Sequence, residues 1–259
     1  MKRKLTTVIA IILLFASKTT YSNGTAGSAA NHEQRYIVDM PTAGLLSDLN
    51  FALNSQLVSR GGFLLDATFA FFKFMNIGMS YGGSGIIGNE TMNMQKYPGF
   101  HLKGRILNET LTAPAIVLGV NTQGNGIYFH SEKRFEQLSP GVYAAASKSF
   151  SWALGNVALH GGINYSFEDP DNSGVNIYAG AEHTIYKYIT AAFEINPNLN
   201  DTRREIWHNG HSFMLNGAIR IGTSENMTIE IQFKDFLRNS AHSDEVGRYF
   251  GLEFTTKLF

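Results

Sequence analysis

The sequence predicts an all-β chain that closes into one transmembrane, antiparallel, up-and-down β-barrel of about twelve strands. Three observations predict it. Apolar and polar residues alternate with period two through most of the chain, so each segment has one face for an apolar medium and one for a polar medium. Short and long connections between those segments alternate. No apolar run after the first residues is long enough to cross a bilayer as a helix, which takes about 20 residues.

The chain has 259 residues, with Lys+Arg and Asp+Glu balanced at 21 each. That balance offers no basic face for nucleic acid. Charged residues make up 16%, against roughly 25% in soluble domains. Cysteine is absent, which excludes disulfides, thiolate metal sites and a lipid on an N-terminal cysteine. Lys2, Arg3 and Lys4 followed by apolar Leu5–Ala16 and the small, polar residues 17–22 read as a secretory signal peptide over 1–22. Residues 23–44 are expected to form a flexible periplasmic N-terminal segment, with Pro41–Gly44 as an entry turn, and 45–259 the barrel.

Strands are expected at 48–57, 62–71, 74–81, 99–107, 114–122, 141–150, 156–167, 174–185, 188–196, 213–221, 227–234 and 249–259. In the second, Phe63, Leu65, Ala67, Phe69 and Phe71 oppose Asp66 and Thr68. In the fourth, Phe100, Leu102 and Ile106 oppose His101, Lys103 and Arg105. In the eleventh, Met227, Ile229, Ile231 and Phe233 alternate with Thr228, Glu230, Gln232 and Lys234. Most are 8 to 12 residues long, close to the roughly 9–11 that a tilted membrane strand needs.

The long connections fall at 82–98, 123–140, 197–210 and 235–246, always at one end; the tip at 58–61 is the short exception there. A bacterial outer-membrane barrel has short periplasmic turns and longer external loops, so both chain ends belong on the periplasmic side. Phe71, Phe72, Phe74, Phe150, Trp152, Tyr186 and Tyr188 flank short turns, as an interfacial girdle would. The terminal strand is out of step by one: Phe259 shares its face with Lys257, Thr255 and Glu253, while Leu258, Phe254, Leu252 and Phe250 take the other. A bulge near the end, or a Phe259 outside the strand, would reconcile this.

Asp66, His101, Lys103, Arg105, Lys148, His160, Glu182, Glu194, Arg220, Glu230, Lys234 and Glu253 are expected to face inward as a mixed-sign lumen lining. They read either as an ionic network filling a narrow lumen or as a polar pore wall. Enzyme signals are weak. The glycine pattern Gly83–Gly88 has no helix after it, and there is no Gly-x-Ser-x-Gly elbow. Glu205, His208 and His211 approach a metal spacing but read as a solvated loop. No serine pairs visibly with a histidine in the manner of outer-membrane phospholipases or lipid A deacylases. No catalytic residue, cofactor or metal is therefore assigned.

Several stretches look like a known family: Pro41-Thr42-Ala43-Gly44; Ser80-Tyr81-Gly82-Gly83; Pro98-Gly99 with Lys103 and Arg105; Gln123-Gly124; Ser147-Lys148-Ser149-Phe150; and His160-Gly161-Gly162-Ile163-Asn164-Tyr165-Ser166. Together they resemble Gram-negative outer-membrane barrels related to YjbH-type proteins, which are associated with exopolysaccharide. The resemblance covers most of the mature chain and implies a barrel in the cell outer membrane. It assigns no site residue. The expected partners are outer-membrane lipid, the barrel assembly machinery and a polysaccharide, with no nucleic acid. The expected function is non-enzymatic, structural or transport-related, with surface polysaccharide export as its finer form. The alternatives are a lipid-modifying outer-membrane enzyme and a soluble periplasmic β-protein.

Overall fold

The computed structural model describes residues 33–152, 155–185 and 188–258, so the expected signal peptide lies outside the described residues. Twelve strands make the wall: β1 (Asn50–Val58), β2 (Gly62–Phe71), β3 (Met75–Ser84), β4 (Gly99–Leu107), β5 (Ala115–Asn121), β6 (Gly141–Trp152), β7 (Gly155–Tyr165), β8 (Val175–Ile185), β9 (Ile189–Asn196), β10 (Met214–Gly222), β11 (Met227–Lys234) and β12 (Gly247–Lys257). Each pairs antiparallel with its neighbours in sequence. β12 then pairs with β1 from Asn50↔Lys257 to Leu57↔Phe250, which closes the sheet. Closure is what hydrocarbon demands, because an open edge would leave N–H and C=O groups with no water to satisfy them.

The alternation places apolar side chains outside. Leu53, Met79, Leu118, Ile163, Phe193 and Phe250 are among the large apolar residues left exposed there. Asn76, Asn164, Asn176, Glu182, Glu194 and Gln232 are buried on the inside. Water-soluble proteins bury the first kind and expose the second. The inverted pattern is that of a transmembrane barrel and overturns the soluble reading. At the short-turn end Phe71, Phe72 and Phe74 are exposed, with ring centroids 5.9 and 6.0 Å apart in sequence order. Phe150 and Tyr188 are exposed at the same end. The side chain of Trp152 and all of Tyr186 lie outside the described residues.

The short tip at 59–61 does not stand bare among long loops. The amides of Gly85, Ile86 and Ile87 donate to the carbonyls of Arg60 and Gly61, so the 85–98 loop folds over it. The glycine pattern at 83–88 belongs to that loop, with Gly85 and Gly88 at positive φ. In β12, Phe250, Leu252 and Phe254 face out, and neither partner shows a register shift along it. A bulge within β12 is thus excluded; the strand ends at Lys257, and Phe259 lies outside the described residues.

The main departure from the sequence reading lies at the N-terminal end. The flexible periplasmic segment expected over 23–44 is, over its described part, a folded hairpin inside the barrel. Tyr36 and Pro41 form a bridge, with the Ile37 amide donating to the Met40 carbonyl and Thr42 to Arg35. Ile37, Val38, Met40, Ala43, Leu45 and Leu46 are all buried. The hairpin is fed from the short-turn end, where β1 starts. Pro41–Gly44 is therefore its returning leg rather than an entry turn.

Candidate functional site: a lumen occupied by its own chain

The barrel wall leaves room for the hairpin on one side. There β5, β6, β8, β9 and β10 turn small or apolar residues inward, and Ile37, Met40 and Ala43 pack on Ala115, Val117, Tyr143, Ala145 and Tyr178. Val38 packs on Ala192 and Ala218, and Leu46 on Ala52 and Ala70. The fit is tight at Gly180, where an added Cβ would lie 2.7 Å from Cγ2 of Ile37.

A hairpin with no sheet to join must find other partners for its peptide groups. The wall supplies them from remote strands. Glu194 Oε2 accepts the amides of Val38, Asp39 and Met40 at 3.0, 2.9 and 2.8 Å. Lys103 Nζ donates to the carbonyls of Arg35, Thr42 and Gly44 at 2.7, 3.1 and 3.3 Å. Arg220 donates to the carbonyls of Tyr36 and Ile37, and Tyr178 Oη to that of Pro41. Arg105 donates to the Ala43 carbonyl at 2.8 Å and pairs with Glu33. Ion pairs pin the two extremes of the hairpin. At the tip, Asp39 meets Lys234 at 2.5 Å and Asn216 at 3.1 Å. Lower down, Arg35 pairs with Glu253 and donates to Thr68 Oγ1.

The inward candidates thus divide. Lys103, Arg105, Glu194, Arg220 and Lys234 hold the hairpin directly. Asp66 accepts from Thr68 at 2.9 Å and lies 2.9 Å from His101 Nε2. Glu230 sits opposite Arg220 across β10 and β11, with Nε to Oε1 at 2.7 Å. Glu182 lies 3.7 Å from Arg220 and 3.6 Å from His160. Lys148 is a correction: Ser147 and Ser149 take the buried positions, which turns Lys148 outward to Glu109 at 2.9 Å. Sequence reading missed the hairpin's own Glu33, Arg35 and Asp39. The available signal was the apolar cluster Ile37, Val38 and Met40, out of place in a solvated tail.

One further group corrects the sequence reading. Ser147 Oγ lies 2.7 Å from His160 Nδ1, and His160 Nε2 lies 3.6 Å from Glu182 Oε1, so a serine and a histidine do meet, with a carboxylate behind. All three are buried, and Ser147 Oγ already accepts the Ala43 amide at 2.8 Å. The group faces the lumen beside the hairpin, and Ser147 serves as one more anchor for it.

At the long-loop end the connections gather around Arg134, which is fully buried. Its guanidinium reaches Asp201 at 3.1 and 2.7 Å, lies 3.7 Å from Asp169 and stacks 4.0 Å from the Trp207 ring centroid. This ties together the loops before β6, β8 and β10. The fourth long loop joins through Ser240 to Glu136 and through the Asn209 amide to the Asn239 carbonyl. His208 turns inward to Asp201 at 3.2 Å while Glu205 and His211 stay exposed, so the three do not meet around a metal.

Burial pushes the Asp201 carboxyl up, but hydrogen bonds from His208 and Arg134 and their charges outweigh it and hold it at about 2. A depressed carboxylate contributes stability that is present above its ordinary range and lost as pH falls through the folded value. The loop cap is expected to persist at pH 4 and to loosen between about pH 4 and pH 2. Limited proteolysis of the 197–213 loop across that range measures it; equal cleavage at pH 5 and pH 2.5 would contradict the assignment. Glu168 works the other way: burial raises it, against hydrogen bonds from Ser139 and Phe135, so it favours the cap less as pH rises.

No protein-family model and no curated protein matches the chain. Among solved structures, the chain is similar to the KdgM porin (11% identity, covering 79% of this chain and 98% of that one, TM-score 0.47). It is also similar to the NanC porin (10%, 81% and 100%, TM-score 0.45) and to the Acinetobacter baumannii outer membrane protein Omp33 (9%, 80% and 97%, TM-score 0.45).

Proposed function

We propose that this chain is a non-enzymatic, transport-related barrel of the Gram-negative outer membrane, with its lumen kept shut by its own hairpin at residues 33–46. The observation that carries the reading is the way the hairpin is held. Its peptide groups bond to charged wall side chains that water could satisfy equally well in an open lumen. The wall ladder is complete without the hairpin. Withdrawal therefore exchanges one set of hydrogen bonds for another, gives up the burial of Ile37, Val38 and Met40, and leaves the wall of the barrel intact. Surface polysaccharide passage, the finer form of this reading, would need that withdrawn state, since what stays free beside the hairpin is a cavity of about 130 Å³. A lipid-modifying activity is disfavoured because Ser147, His160 and Glu182 face the lumen and not the lipid.

Planar-bilayer recording of the full chain and of a variant lacking 33–46 tests the proposal. The variant is expected to open steps many times larger than those of the full chain. Equal conductance in the two would overturn it, and gel mobility before and after heating verifies that both barrels are folded.

A further inference from the structure

The hairpin does not lie centrally. It leans on the small-residue side of the wall, β5 to β10, and leaves a polar strip along β1, β2, β11 and β12. The 130 Å³ cavity is this strip. Its lining includes Tyr188 and Gly222 at the short-turn end and Gln123 and Asn125 at the long-loop end. The lining thus includes residues from both ends of the barrel. At about 30 Å³ per water it accommodates about four waters. Its middle is walled by amides and carboxylates, Asn54, Gln56 and Gln232 among them, to which water and small ions bind and polymers find no room.

The fixed charge along the strip has a sign. Its carboxylates are Glu33, Asp39, Asp66, Glu230 and Glu253. Its cations are Arg35, Arg220 and Lys234, each paired: with Glu253, with Glu230 and with Asp39. Glu33 is neutralised from outside the strip by Arg105. Asp66 remains, at mid-height: Thr68 Oγ1 and the His101 imidazole each lie 2.9 Å away, and the neighbouring Arg35 is already paired with Glu253. A negative charge in a narrow passage with low-dielectric walls raises the local concentration of cations and excludes anions.

We propose that, with the hairpin seated, the barrel passes small monovalent cations in preference to anions along the strip between the hairpin and the β1–β2–β11–β12 wall. The proposal rests on the reading of the hairpin as a lumen plug and adds what the plugged state does.

The test is the reversal potential of the full chain in a bilayer under a potassium chloride gradient. Small steps are expected that favour K⁺ over Cl⁻ by a factor of about 25, because one unit charge at about 4 Å across water enriches the cation and depletes the anion about fivefold each. Asp66→Asn, which keeps shape and removes the charge, should bring that ratio close to 1. Gly251→Leu should abolish the small steps, because Gly251 faces the strip and an added Cβ meets nothing closer than 3.5 Å. The native chain alone decides the matter if either variant fails to fold. Anion preference, or no preference, in the full chain overturns the inference. A silent full chain beside a conducting variant lacking 33–46 also overturns it, while leaving the plug reading intact. If both are silent, the plug reading fails, and this inference with it.

Discussion

Glu194→Leu is expected to free the tip of the hairpin. One carboxylate oxygen accepts three successive amides there, at 2.8 to 3.0 Å, and its other oxygen accepts from Asn216 at 2.9 Å. Hydrogen bonds to a charged group contribute about 1.5–3 kcal/mol each, and bonds that share an oxygen sum to less than their parts. Leucine fills the volume but accepts nothing, so all three amides are left buried and unpaired. The expected loss is about 3–5 kcal/mol of hairpin docking, since each buried donor left unpaired costs about 1–3 kcal/mol and the three share one oxygen. At 1.4 kcal/mol per factor of ten, the undocked state becomes at least about 100 times more populated. The readout is a series of large, brief openings in bilayer recordings of an otherwise full-length chain. Glu194→Gln keeps an acceptor without the charge and should fall between the two. A Glu194→Leu trace indistinguishable from that of the native chain would show that the nest does not hold the hairpin.

Arg134→Ala is expected to dismantle the cap at the other end. The side chain is fully buried, spans two loops through Asp201 and lies against the Trp207 ring. Its removal leaves the buried Asp201 carboxylate to His208 and opens a large void, at a cost of about 3–5 kcal/mol. Arg134→Lys keeps the charge but loses the planar fork that meets both Asp201 oxygens, so it should recover only part of the loss. The effect should stay local, because no wall ladder bond involves these residues. Loops 122–140 and 197–213 should become sensitive to added protease while heat-modified gel mobility stays native. Loss of the folded band instead would mean that the cap and the wall unfold together.

The wall was legible in the sequence because its physics is local. Each strand carries its own alternation, as at Phe63, Leu65 and Ala67 against Asp66 and Thr68, and a one-residue slip would flip every side chain. The inward positions of Lys103, Glu194 and Arg220 follow from the same parity. Lys148 was misplaced because Ser147, Lys148 and Ser149 are all polar and give parity nothing to grip. The hairpin was illegible for a different reason. Its stability is written in the wall: Arg35 finds Glu253 218 positions away, and the Met40 amide finds Glu194 154 positions away. No local period records such a contact. What sequence does hold is indirect. Ala115, Ala145, Ala192 and Ala218 face inward where a barrel filled by its own wall would need bulk. A run of small inward residues on adjacent strands signals a guest.

Hydrogen exchange at the amides of Val38, Asp39 and Met40, in the native chain embedded in lipid, tests most directly whether the hairpin lives inside the barrel. The docked hairpin predicts exchange orders of magnitude slower than in an unstructured peptide of the same sequence, comparable to amides of the wall strands. Exchange at the unstructured rate, with the β9 and β10 amides fully protected, would place the hairpin outside the lumen and contradict the account.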